Sequence, residues 1–74
     1  MSVSTTRYVL ALGDDAEAVA GADGAALVDR AQNAVVVETD LALAKELATA
    51  GEYVHVFSSP HDALRALALF RNAS

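Results

Sequence analysis

The sequence contains no cysteine, which excludes disulfides, cysteine-ligated zinc and iron–sulfur centres and leaves packing alone to stabilise the chain. Lys and Arg together number 5 against 10 Asp and Glu, a formal net charge of -5. This acidic balance argues against an electrostatic grip on nucleic-acid phosphates or anionic lipid. No apolar stretch approaches the ~20 residues of a membrane span, and no basic segment followed by an apolar run marks a signal peptide. We therefore expect a cytoplasmic protein that binds neither nucleic acid nor membrane.

The chain is also poor in large apolar side chains. Its 74 residues allow one small domain over residues 1–74, and the polar residues 1–6 are expected to be disordered. Alanine supplies 17 of the hydrophobic residues and adds little core area, which leaves 23 larger ones. A core of that size only roughly offsets the ordering entropy, so a partner or a second copy is expected to contribute stability.

Hydrophobic periodicity and capping residues predict most of the secondary structure. A short apolar run and a β-branched run predict strands, and residues that favour helix starts precede three segments. The predicted elements are strand 8–12, helix 15–20 starting near Asp14, strand 34–38, helix 41–50 capped by Thr39 or Asp40 and closed by a left-handed Gly51, strand 53–57, and a helix from Pro60 towards Arg71.

Residues 25–33 fit two patterns, and the choice between them decides the topology. Read with a period of two, they form a second strand; the fold is then α+β, a ferredoxin-like β-α-β-β-α-β antiparallel sheet with an additional C-terminal helix. Read with a period of 3.6, they form a helix, and the alternative is a three-stranded βαβαβα sandwich. In both cases the strands are apolar on both faces, so the sheet needs cover on both sides. In the three-stranded alternative the helices flank the sheet, whereas the second face of the antiparallel sheet needs the C-terminal helix or a partner.

Two resemblances accompany these patterns. Residues 7–12, 35–41, 45–47 and 52–57 resemble the propeptide and inhibitor domain of subtilisin-like proteases, a resemblance that implies a ferredoxin-like fold and a role in binding or inhibiting a protein. Residues 35–40, 53–57 and 62–67 are similar to the first half of the response-regulator receiver domain, which implies a signalling module.

No set of residues has the spacing of a catalytic or metal site. The potential ligands are scattered without a ligand-type spacing such as His-x-x-x-His, so no metal or other cofactor is expected: Glu38, Asp40, His55, His61 and Asp62. Ser58 and Ser59 lie near His61, but a helix start explains consecutive serines before proline. We expect no enzymatic activity and no catalytic residue.

The aromatic residues of the last strand are the best candidates for a binding surface. We predict a module that binds a protein or peptide, of propeptide, inhibitor or chaperone type, through a strand edge or an apolar sheet face, and that forms a homodimer. The candidate binding residues are Tyr8, Leu10, Tyr53, His55 and Phe57. The alternative is a receiver-like signalling or small-ligand-binding α/β module in which Glu38 and Asp40 face a ligand at the strand end.

Overall fold

The computed structural model describes residues 5–71, which form a four-stranded antiparallel open sheet with three helices. The chain is therefore an α+β protein. The elements in chain order are β1 (Thr6–Leu12), α1 (Asp14–Ala20), β2 (Ala26–Ala31), β3 (Ala34–Asp40), α2 (Leu41–Ala50), β4 (Val54–Phe57) and α3 (Pro60–Arg71). The strands lie in the order β2-β3-β1-β4, so β2 and β4 are the two edges. No helix within residues 5–71 is long and apolar enough to cross a membrane.

The ambiguous segment forms the strand β2, so the helical interpretation of residues 25–33 and the three-stranded βαβαβα alternative are wrong. Ala31 pairs with Ala34 across a two-residue connection, and β2 continues antiparallel to β3 from there. In a two-residue hairpin, the backbone N–H and C=O groups of residues close in sequence bond to one another. A helix over the same few residues would be only marginally stable, because it is short and its apolar face is weak. The predicted disorder of residues 1–6 falls mostly outside the described residues, and β1 already begins at Thr6.

Each face of the sheet has its own apolar core, as the strand pattern predicts. One face, which we call the α1/α2 face, packs against those two helices, and α3 covers the other, which we call the α3 face. The buried residues of the α1/α2 face are Val9, Ala11, Ala16, Val19, Val35, Val37 and Ala44. Those of the α3 face are Leu10, Ala34, Val36, Ala63 and Leu67. The C-terminal helix thus supplies the second cover from within the chain.

Helix boundaries follow the predicted caps in two cases and depart from them in two. Asp40 caps α2 by accepting a hydrogen bond from the Leu43 N–H at 2.9 Å, and α3 begins at Pro60 as expected. At α1 the cap is Gly13, with φ 61, and Asp14 is already helical. Gly51 has an extended backbone, φ -103 and ψ 152, so its predicted left-handed conformation is wrong. Glycine is favoured there because a Cβ would displace the Val54 side chain and crowd the Asp15 carboxylate.

Candidate functional site

The five predicted binding residues lie on the same face of two neighbouring strands. Tyr8 is opposite Phe57 and Leu10 is opposite His55 in the β1–β4 register. The Tyr53 carbonyl accepts a hydrogen bond from the β1 backbone, which extends the pairing one residue before β4. Alternation along the strands places all five on the α3 face of the sheet.

Their accessibility differs, because α3 covers part of this face. Leu10 is only 1% exposed and belongs to the core beneath α3. Tyr8 and Phe57 are half-buried against the same core. Tyr53 is 58% exposed and His55 is also exposed. A partner that approaches the folded chain therefore reaches Tyr53 and His55, while Leu10 stays out of contact.

Tyr8 also makes a polar contact at the margin of this surface. Its hydroxyl donates a hydrogen bond to Glu38 Oε2 on the neighbouring strand β3, at 3.3 Å. Partial burial of the phenol, and then the charge and hydrogen bond of the Glu38 carboxylate, raise the pKa of Tyr8 above its ordinary value of 10.0. The Glu38 carboxylate, which the small-ligand alternative places at the strand end facing a ligand, is thus already hydrogen-bonded to β1.

We expect the Tyr8 phenol to titrate above pH 10.0 in the folded chain, as measured by phenolate absorbance in Tyr53→Phe, where Tyr8 is the remaining tyrosine. The folded chain holds this proton more tightly than the unfolded chain. The associated stability is therefore complete below the unfolded pKa and is lost as pH rises through the folded pKa. Adding Glu38→Gln removes the negative charge and should lower the midpoint; an unchanged midpoint would contradict the contact.

The outer edge of β4 presents backbone groups to solvent. The Leu12 N–H donates to the Tyr53 carbonyl at 3.0 Å, which marks that position as a hydrogen-bonded pair. Hydrogen-bonded and non-hydrogen-bonded pairs alternate along an antiparallel ladder. Counted from Tyr53, the odd-numbered residues of β4 bond to β1, whereas Val54 and Val56 direct their N–H and C=O groups outward. Val56 is 39% exposed, so this edge is reachable.

The two edges of the sheet differ in how they discourage pairing with another chain. The β2 edge has a register irregularity between Leu27 and Asp29 and carries the charged pair Asp29 and Arg30. Bulges and charges are the usual protection of an exposed edge. The β4 edge lies instead in residues 53–61, the longest stretch of the sequence without Asp, Glu, Lys or Arg. Shortness is the main protection that β4 has.

Asp15, a residue that sequence reasoning did not single out, holds the start of this edge in place. Its Oδ2 accepts hydrogen bonds from the Glu52 N–H at 3.0 Å and the Tyr53 N–H at 2.9 Å. The partners lie 37 and 38 positions away in the chain, so no local pattern indicates the contact. The absence of a side chain at Gly51 lets the Asp15 carboxylate approach this turn.

The possible metal ligands do not converge. Among residues 5–71, no three His, Asp or Glu side chains form a group that could hold a metal ion. Asp40 is engaged in capping α2, and Glu38 accepts the Tyr8 hydrogen bond. These two carboxylates, which the small-ligand alternative invoked together, each have a structural role.

The site therefore consists of a strand edge free of Asp, Glu, Lys and Arg, with exposed aromatic and aliphatic side chains beside it. No protein-family model matches the chain, and neither a curated protein nor a solved structure gives a significant match.

Proposed function

We propose that this chain is a small protein-binding module that pairs the outer edge of β4 with an extended segment of another polypeptide. The observation that carries the proposal is the outward direction of the Val54 and Val56 backbone groups within a segment free of Asp, Glu, Lys and Arg. Each backbone hydrogen bond to an added strand contributes a net ~0.5–1.5 kcal/mol. Contacts with Val56 and Tyr53 add burial of apolar area at roughly 25 cal/mol per Å².

We further propose that the fold is ferredoxin-like with an additional C-terminal helix. The β-α-β-β-α-β order that precedes α3 and the strand order β2-β3-β1-β4 support this assignment. In such an arrangement the last strand lies at an edge of the sheet, and here α3 occupies the sheet face. The backbone edge of β4 remains available, with only Tyr53 and His55 exposed beside it on this face, so a partner strand is favoured over a partner that lies across the sheet.

A peptide selection tests whether β4 accepts a strand. Short random peptides would be selected against the chain immobilised at low density, and their affinities compared between the unaltered chain and Val56→Pro. Proline removes the outward N–H at residue 56 and leaves the β1 hydrogen bonds of the odd-numbered residues intact. We expect at least about tenfold weaker binding to Val56→Pro, because a ladder bond is lost and the ring obstructs the edge.

Two controls separate edge pairing from misfolding. Val56→Thr keeps the N–H and the β-branched shape, so it should lose much less affinity than Val56→Pro. Amide hydrogen exchange should report added protection at residues 54 and 56 when a peptide is bound, and an unchanged pattern along β1 in Val56→Pro. Selected peptides that bind the unaltered chain and Val56→Pro equally would overturn the proposal.

A further inference from the structure

We infer that the strand added at β4 is β4 of a second copy, so that two chains form one continuous antiparallel sheet about a two-fold axis at His55. This inference rests on the proposed function, since it names the partner of the same edge. The union of two four-stranded sheets buries both β4 edges and leaves a β2 edge at each end.

One register uses the outward backbone groups of β4 completely. When His55 faces His55 of the second copy, Val54 faces Val56 of the second copy, and the axis generates that pair twice. Each such pair exchanges two backbone hydrogen bonds. A register centred on Val54 instead places Val56 opposite Glu52, whose N–H already donates to Asp15. One centred on Val56 places Val54 opposite Ser58, and both Glu52 and Ser58 lie outside β4.

The side chains are self-complementary in the same register. On the α1/α2 face, Val54 meets Val56 of the second copy, and β-branched pairs suit the pleated surface. On the α3 face, the exposed Tyr53 lies opposite Phe57 of the second copy, on either side of the central histidine pair. Aromatic cross-strand pairs are among the more favourable combinations. The exposed side chains of the edge therefore gain partners without a foreign sequence.

Charge and edge protection decide that association stops at two copies. Each chain carries a net charge of -5, so copies repel one another, and the repulsion is weakest for a contact through a segment without carboxylates. Residues 53–61 are free of Asp and Glu, and β4 lies within them. In a two-fold symmetric contact through β4, the β4 edges of both copies are paired, so neither can bind a third copy. The remaining β2 edges carry the Leu27/Asp29 irregularity and the charges of Asp29 and Arg30, so the sheet does not grow further.

The mass of the particle in solution is the first measurement. Sedimentation equilibrium over micromolar to millimolar chain should give twice the 7.6 kDa chain mass at the higher concentrations. Val56→Pro should weaken self-association about tenfold or more, and Leu69→Ala, which removes an exposed apolar side chain from α3, should leave it unchanged. Monomer throughout the range, or dimerisation that survives in Val56→Pro, overturns the inference.

Cysteine placement tests the register independently of the proline variant. In His55→Cys the two thiols face each other across the axis in a non-hydrogen-bonded pair, with Cα atoms about 4.5 Å apart, inside the roughly 4.4–6.8 Å range of disulfides. In Val56→Cys, strand rise and spacing put the equivalent atoms about 8 Å apart. With oxidised glutathione as oxidant, the first variant should cross-link at least about tenfold faster than the second. Equal rates, or faster linking of Val56→Cys, would exclude this register.

The outcomes separate this inference from the proposed function. A chain that stays monomeric but binds selected peptides in a manner sensitive to Val56→Pro retains the edge-pairing function and loses the second copy as partner. If Val56→Pro changes neither peptide binding nor self-association, the edge-pairing function and the dimer through β4 are both excluded. Dimerisation sensitive to the proline, with preferential His55→Cys cross-linking, supports both.

Discussion

Leu67→Ala should lower the free energy of unfolding by ~2–5 kcal/mol, the range typical of a buried leucine replaced by alanine. Leu67 is 1% exposed and, with Ala63, is the part of α3 buried against Leu10 and Val36. Alanine at this position leaves a cavity between α3 and the sheet, and close packing around it allows the neighbouring side chains to relax only partly into the space. Urea unfolding followed by circular dichroism gives the difference.

The same helix offers a matched control in Leu69, which is 71% exposed. Leu69→Ala removes the same atoms from solvent rather than from the core, so its effect should stay within about 0.5 kcal/mol. At roughly 0.05–0.15 kcal/mol per residue, a chain of this size has little stability in reserve, and Leu67→Ala should consume a large fraction of it. Similar, small effects of the two substitutions would show that α3 does not cover the sheet as described.

The importance of α3 follows from a feature that the sequence reveals well. The alternating residues of β1 are apolar on both faces, which predicts a layer on each side of the sheet. The sequence also predicts where α3 begins, because serine is typical of the position before a helix and proline of its first turn, as at Ser59 and Pro60. What periodicity does not reveal is which covering element the chain uses, since a partner satisfies the same pattern.

The segment that became β2 shows why local patterns fail. Leu27 faces Val37 on the α1/α2 face, and Asp29 faces Val36 on the α3 face, with a register shift between them. The extra residue breaks the two-residue alternation, so apolar and polar side chains no longer repeat in the strand period. Pairing with β3 decides the structure of this segment, and that pairing is a tertiary property.

Some features of the candidate site follow from the sequence, and others depend on tertiary structure. The strand period correctly puts the aromatic residues of β4 on one face, and their partners on β1 follow from the register. Burial of Leu10 could not be predicted, because it depends on where α3 crosses the sheet. The outward direction of the Val54 and Val56 backbone groups could not be predicted either. The pairing of β1 with β4 decides which residues bond to β1, and local sequence does not specify that choice.

Asp15→Ala should be the second most damaging of these substitutions, with a loss of ~0.5–1.5 kcal/mol in the free energy of unfolding, because water can reach the donors once the carboxylate is removed. The Asp15 carboxylate is half-buried and accepts the Glu52 and Tyr53 N–H groups, and alanine leaves both donors without that partner. Asp15→Asn keeps an acceptor oxygen but loses the charge, so its loss should be intermediate.

Asp14→Ala is the control, because Asp14 is exposed and also lies in the first turn of α1. Both substitutions remove a carboxylate favoured at a helix start, an effect of ~0.3–1 kcal/mol that cancels in the comparison. The remaining difference reports the hydrogen bonds to the turn before β4. Amide exchange should quicken at residues 52 and 53 in Asp15→Ala and stay unaltered in Asp14→Ala. Equal losses in the two variants would mean that the turn is held by the backbone alone, and the edge that we assign to binding would then be positioned without Asp15.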